Sequence, residues 1–301
     1  MSAAALIVPP GRQGPGRLPA DAVARLDLAL RRRASGVLPG DHLTAGLGAG
    51  TEIAQLRPYE PGDDVRRLDP AASARTGTPH VRLQVPERAI TTWLVLDVSA
   101  SMAFGTADRL KSDVTEGVAE VVSRLAVRRG GRIGVVTAGA EWVRMLPPRG
   151  GRGALAAVRR LVQSGVVADG APAGAGIADA LTRVQRLARA RGTVVVVSDF
   201  RDTGWASALR ATAARHTVVA VEVTDPREGA LPDAGHLVLV DPETRLEVAA
   251  DTNAPRLREA YATAEAERRE GVREQLRRAG AEHVVLATDR DWLRDLAKGL
   301  R

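Results

Sequence analysis

The sequence predicts an α/β fold: a mostly parallel central sheet with helices on both faces, preceded by a small N-terminal extension. Three observations carry this. The runs 92–96 and 193–197 are dominated by aliphatic residues, as strands buried on both faces are. Around them lie stretches whose apolar residues recur at three-or-four spacing, the period of helices packed on a sheet. Both runs end near an acidic residue, Asp97 and Asp199. That marks the carboxyl edge of the sheet, where open α/β folds bind their ligands.

Taken in order, residues 9–20 hold too much proline and glycine to bury anything, so 1–20 read as a flexible tail. A helix is expected from Asp21, with Val23, Leu26, Leu28 and Leu30 on one face and Arg31, Arg32 and Arg33 at its C-terminus. Over 36–87 glycine and proline recur without a period, so 21–88 form that helix plus an irregular or short-stranded extension.

The core domain is 89–301. Its first unit is a strand over 92–96 and a helix carrying Leu110, Val114, Val118, Val121 and Leu125, closed by Gly130 and Gly131. A strand over 132–137 follows. The turn at Gly139 is too short for a parallel crossover, so 141–146 are expected as an antiparallel partner, stopped by Pro147 and Pro148. Helices are expected over 154–163, 177–190, 205–214, 255–279 and 289–300, and strands over 193–197, 216–223, 236–240 and 282–287. The helix over 255–279 should turn Leu257, Tyr261, Ala264, Val272 and Leu276 inward.

Composition narrows the chemistry. The chain has 301 residues, 45% of them hydrophobic, and a net charge of +7 from 43 basic and 36 acidic residues. Only Lys111 and Lys298 are lysines, so arginine makes it basic. With no cysteine, disulfides, thiolate metal sites and cysteine nucleophiles are excluded. No apolar run approaches the roughly 18 residues of a membrane span. These features lead us to expect a cytoplasmic chain.

Asp97, Ser99 and Ser101 place one carboxylate and two hydroxyls at alternate positions where a buried strand emits its loop. Such a set suits a hard cation that prefers oxygen ligands, magnesium above all. The same residue types also make Asx turns and helix N-caps, so a purely structural reading stands beside the metal.

This loop resembles the metal-ion-dependent adhesion site of the von Willebrand factor type A domain, a Rossmann-like fold. The resemblance implies that Ser99 and Ser101 bind magnesium through their hydroxyls, and that Asp97 and Asp199 act through bound water. It also implies a threonine where this chain has Ala175, so the site is incomplete. A second resemblance lies upstream. Leu56, Arg57, Pro58, Tyr59, Glu60, Pro61, Gly62, Asp63, Asp64, Val65, Arg66 and Arg67, followed by Arg75, are similar to the signature of the domain of unknown function 58 family. Asp241, Pro242, Glu243 and Thr244 extend that likeness, whereas Pro70 replaces the family's usual tryptophan. The family joins this segment to a von Willebrand type A fold and often accompanies MoxR-type AAA+ ATPases. It therefore implies a non-catalytic interaction module that is partner or adaptor of such an ATPase or its client.

In that motif Arg57, Asp63, Asp64, Arg66 and Arg75 offer enough charge for a local ion-pair network, serving as a brace or a partner surface. Two other functions compete. A magnesium-dependent hydrolase would use the same cation, but the five histidines are scattered and Ser99 sits in no Gly-x-Ser-x-Gly elbow. A nucleic-acid binder would use Arg149 and Arg152 among glycines, but none of the eight aromatic residues is interleaved there to stack bases.

Overall fold

The structure is a computed structural model that describes residues 6–19, 23, 26, 53–84, 90–106, 108–128, 130–171 and 174–300. It divides into two units, Met1–Leu30 with Ile90–Arg301, and Arg31–Ala89. The helix expected over 21–33 lies outside the described residues, except that Val23 and Leu26 are helical and buried.

The larger unit opens with β1 (Leu6–Ile7). The smaller unit holds β2 (Ile53–Pro58), α1 (Pro70–Thr76) and β3 (His80–Gln84), with β2 and β3 antiparallel. The described residues of this unit therefore hold two short strands with a helix between them. Asp69 caps α1 by accepting from the Ala72 N–H at 2.9 Å, and Pro70 takes the first helical position, where a missing N–H costs nothing. Proline in place of tryptophan therefore starts a helix cleanly.

The charged motif forms a smaller network than its composition suggests. Arg57 Nη2 donates to Asp63 Oδ1 at 2.6 Å, and Asp63 Oδ2 accepts from the Glu60 N–H at 2.9 Å. Asp64 caps a 3₁₀ turn at Arg66, and the Tyr59 N–H donates to the Pro79 carbonyl. Among the described residues Arg66 and Arg75 enter no ion pair, so the network closes the hairpin's own turn and extends no further.

The larger unit continues with β4 (Thr91–Asp97), α2 (Lys111–Arg128), β5 (Arg132–Ala138), β6 (Met145–Arg149), α3 (Gly151–Gln163), β7 (Val166–Val167), α4 (Ile177–Leu187), β8 (Thr193–Ser198), α5 (Trp205–Ala213), β9 (Thr217–Thr224), β10 (His236–Val240), β11 (Glu247–Asp251), α6 (Pro255–Arg278), β12 (Glu282–Ala287) and α7 (Trp292–Gly299). Six strands form one sheet in the order β12-β9-β8-β4-β5-β6, parallel throughout except for the antiparallel edge strand β6.

Strand alternation sorts the core into two layers. Leu94, Leu96, Val135, Val195, Val197 and Val221 pack with Val114, Val118 and Val121 of α2 and with Trp292 and Leu296 of α7. Trp93, Val95, Val136, Val194 and Val196 pack with Ile177, Leu181 and Val184 of α4, Leu209 of α5 and Leu276 of α6. Each fully buried Val or Leu contributes about 1.5–3 kcal/mol, so both faces of the sheet are committed.

Several expectations need correction. The partner of β5 begins at Met145 and runs through Pro147 and Pro148, which were expected to stop it. An edge strand has a free side on which a missing N–H is harmless, and the register is irregular there. Strand 236–240 forms as expected, and it pairs with β11 as a hairpin separate from the main sheet. In α6 Leu257 and Ala264 are exposed, because the buried position of its first half is Glu265, which ion-pairs with Arg268, Arg269 and Arg201.

The proline-rich lead-in is also ordered where it is described. β1 pairs with β7, and the buried carboxylate of Asp113 accepts from the Gln13 N–H at 3.0 Å and the Gly14 N–H at 2.7 Å. Arg12 pairs with Asp113 and Glu116, and Trp292 Nε1 donates to the Pro15 carbonyl at 3.1 Å. Gly117 permits this approach: a Cβ there would lie 2.3 Å from the Trp292 ring and 3.0 Å from Pro15. Backbone groups and the Arg12 side chain do the docking, which is why a composition poor in apolar side chains did not announce it. Among the described residues, no helix is long and apolar enough to cross a membrane.

Candidate functional site at the carboxyl edge of the sheet

β4 and β8 are adjacent and parallel, so Asp97 and Asp199 emerge side by side at the same edge. The Ser99 N–H donates to Asp97 Oδ1 at 2.9 Å, the Asx turn that the residue types allow. Ser198 Oγ donates to Asp97 Oδ2 at 2.5 Å and accepts from the Phe200 N–H at 2.9 Å. The loop then closes in a 3₁₀ turn, Ala100–Ala103, which holds the Ser99 and Ser101 hydroxyls 3.2 Å apart. Gly139 makes room for it: its φ is +89°, and a Cβ would lie 2.5 Å from the Ser99 nitrogen.

Beneath the loop sits a fully buried ammonium. Lys111, the first residue of α2, reaches Asp199 Oδ2 at 2.6 Å and Glu228 Oε1 at 2.7 Å. Asp199 Oδ1 accepts from the Arg201 N–H at 3.2 Å, and Arg201 Nε lies 3.4 Å from Glu228. Phe200 turns the chain here with a φ of 52°, a left-handed conformation that costs a non-glycine residue on the order of 1 kcal/mol.

The electrostatics follow from burial and these partners. Burial, reinforced by the neighbouring Asp199 charge, pushes Asp97 up to about 6 against the hydrogen bonds from Ser198 and Ser99. Burial would raise Asp199 too, but the Lys111 charge and hydrogen bond hold it below the ordinary carboxylate range. Burial opposes the charge on Lys111, yet Asp199 and Glu228 hold its pKa above the usual lysine value.

The hairpin turn between β10 and β11 comes to the same edge. The Gly170 N–H donates to the Pro242 carbonyl at 2.8 Å, and the Val167 N–H, three residues before, donates to the Val98 carbonyl at 2.8 Å. Burial and the charges of Asp199, Asp241 and Asp202 raise the Glu243 pKa, while a hydrogen bond with Ser101 works the other way.

The edge thus gathers Asp97, Ser99, Ser101 and Asp199 as the sequence expects, but the donor set does not fit a resident magnesium ion. Both Asp97 oxygens are engaged, the Ser101 hydroxyl bonds Asp199 and Glu243 as well as lying 3.2 Å from that of Ser99, and Asp199 carries a buried cation already. Ala175 supplies no side-chain oxygen, and its carbonyl accepts from the Gly139 N–H at 2.7 Å. Asp179 does not compensate: it accepts from the Gly176 N–H at 3.1 Å and caps α4. Among the described residues no three His, Asp or Glu side chains are grouped to hold a metal.

Lys111, Glu228, Ser198 and Glu243 went unread in the sequence as site residues. Two signals were available. Lysine is rare in this chain, and Asp225, Pro226 and Glu228 have the spacing of a capping box, which the structure forms.

The family model described as "Protein of unknown function DUF58" matches residues 55–271, from the β2–β3 hairpin through the carboxyl edge into α6. The chain belongs to this family. Uncharacterized proteins of Mycobacterium bovis and of Mycobacterium tuberculosis strain H37Rv are each 41% identical to this DUF58 chain over 282 residues, covering 93% of it and 88% of their own length. Among solved structures, the conserved hypothetical protein BatB from Bacteroides thetaiotaomicron is 16% identical, with a TM-score of 0.45 over 70% of this chain and 97% of that one. The SpRpn10 VWA domain is 11% identical, with a TM-score of 0.39 over 69% of this chain and 93% of that one. The von Willebrand type A-like assignment of this DUF58 core rests on its own sheet order, its antiparallel edge strand and the Asp97 loop.

Proposed function

We propose that this chain is a non-catalytic protein-interaction module that works in the cytoplasm as partner or adaptor of a MoxR-type AAA+ ATPase, and that the carboxyl edge with the β10–β11 hairpin is its contact surface. One observation carries the reading. The hairpin exposes Val238, Val240, Leu246 and Val248, while the Pro242 carbonyl in its turn is hydrogen-bonded beside the Asp97 loop. Aliphatic side chains bared next to a polar rim are the usual composition of a protein-binding surface. The ATPase as partner comes from the family resemblance, not from the geometry.

The two competing functions gain no observation. Ser99 Oγ is paired with Ser101 rather than with a base, as a nucleophile would need. Arg149 ends β6 and Arg152 lies in the first turn of α3, so the glycines around them serve a strand-to-helix connection.

The test is direct binding to the purified MoxR-type ATPase of the same organism. Val240→Asp with Leu246→Asp should weaken it by about tenfold or more with the melting temperature unchanged. Undiminished affinity in that variant overturns the assignment of the surface.

A further inference from the structure

In a von Willebrand type A-like loop, the divalent ion supplies positive charge to acidic side chains gathered at the sheet edge. In this chain a side chain already occupies that electrostatic role. We propose that Lys111 is the built-in cation of the carboxyl edge, and that the edge is assembled and held without a divalent metal.

Three independent features support this. Lys111 has no exposed surface and donates to two carboxylates at 2.6 and 2.7 Å, the geometry of charge-assisted hydrogen bonds that lock a group in place. Two cations face the two deepest acids: Lys111 and Arg201 meet Asp199 and Glu228, with Arg201 Nε 4.0 Å from Asp199 and 3.4 Å from Glu228. The ligand set is also reduced in the way such a replacement allows, with alanine at 175, which supplies no side-chain oxygen.

A divalent ion brought to Asp199 would meet a carboxylate already paired with a lysine charge. Because two charges of one sign repel strongly where little water screens them, ammonium and divalent ion exclude each other here. The ammonium, unlike the ion, cannot be removed by a chelator or diluted away. This inference deepens the interaction reading of the same edge, but cation titration decides it and no partner is needed, so either can fail without the other.

The test is a manganese titration of the full chain followed by electron paramagnetic resonance, with thermal unfolding in magnesium chloride against sodium chloride of equal ionic strength. The wild type should show no saturable manganese binding and no magnesium-specific rise in melting temperature. The variant Lys111→Met, Glu228→Gln, Ala175→Thr removes one cation and one anion together, so it keeps the charge balance, and restores the missing hydroxyl. It should gain saturable manganese binding that Asp199→Asn abolishes. Saturable binding by the wild type that is lost on Asp199→Asn overturns the proposal, as does a folded triple variant that still binds nothing.

Discussion

Lys111 Nζ lies 2.6 Å from Asp199 Oδ2, joining the start of α2 to the carboxyl end of β8 across 88 residues of sequence. Glu228 closes the cluster from the far side at 2.7 Å. The cluster ties three elements beneath the Asp97 loop.

Removing the ammonium strands two buried carboxylates. Lys111→Met should therefore destabilise the fold by about 3–5 kcal/mol, whereas Lys111→Met with Glu228→Gln should cost clearly less, because Asp199 retains Arg201. Urea unfolding of the two variants checks this difference.

Asp97 sets a pH dependence. With its pKa raised from 3.8 to about 6 by burial and the Asp199 charge, the folded chain holds a proton that the unfolded chain has released between those values. Stability must then fall as pH rises through this window, by at most about 3 kcal/mol. Asp97→Asn carries no proton to lose and should flatten the slope, as measured by unfolding at pH 4, 5 and 6.

Asp113 anchors the N-terminal segment through the Gln13 and Gly14 N–H groups and also accepts from the Leu110 N–H at 2.9 Å. Asp113→Ala should cost about 3 kcal/mol or more, since three N–H groups lose a charged acceptor, each such bond is worth roughly 1.5–3 kcal/mol, and water replaces part of the loss. Limited proteolysis should then cut within 8–18 faster than in the wild type.

Gly139→Ala forces a Cβ against the Ser99 backbone at a positive φ. The expected loss is about 2 kcal/mol or more, concentrated in the Asp97 loop. Faster amide exchange at Ser99 and Met102, against an unchanged α4, would show it.

The central strands were legible because a strand buried on both faces must be apolar along its length, and Trp93 to Leu96 and Val194 to Val197 are. The placement of Asp97 and Asp199 followed from those strands. Less was legible wherever backbone rather than side chains decides. The prolines of β6 looked like a stop because nothing local says that one side of the strand is free. The segment from Arg12 to Pro15 looked unstructured because, besides the Arg12 side chain, its anchors are N–H and carbonyl groups common to all residues. The rarity of lysine marked Lys111, but no local pattern named its partners, which lie 88 and 117 residues away.

The most direct measurement of the central claim is hydrogen exchange of the chain alone and with the purified MoxR-type ATPase. The account predicts added protection at Val98 to Met102 and across β10 and β11, with little change around Arg132 and Thr193 at the opposite, amino edge of the sheet. Binding that protects that amino edge and leaves the hairpin and the Asp97 loop unchanged would contradict it.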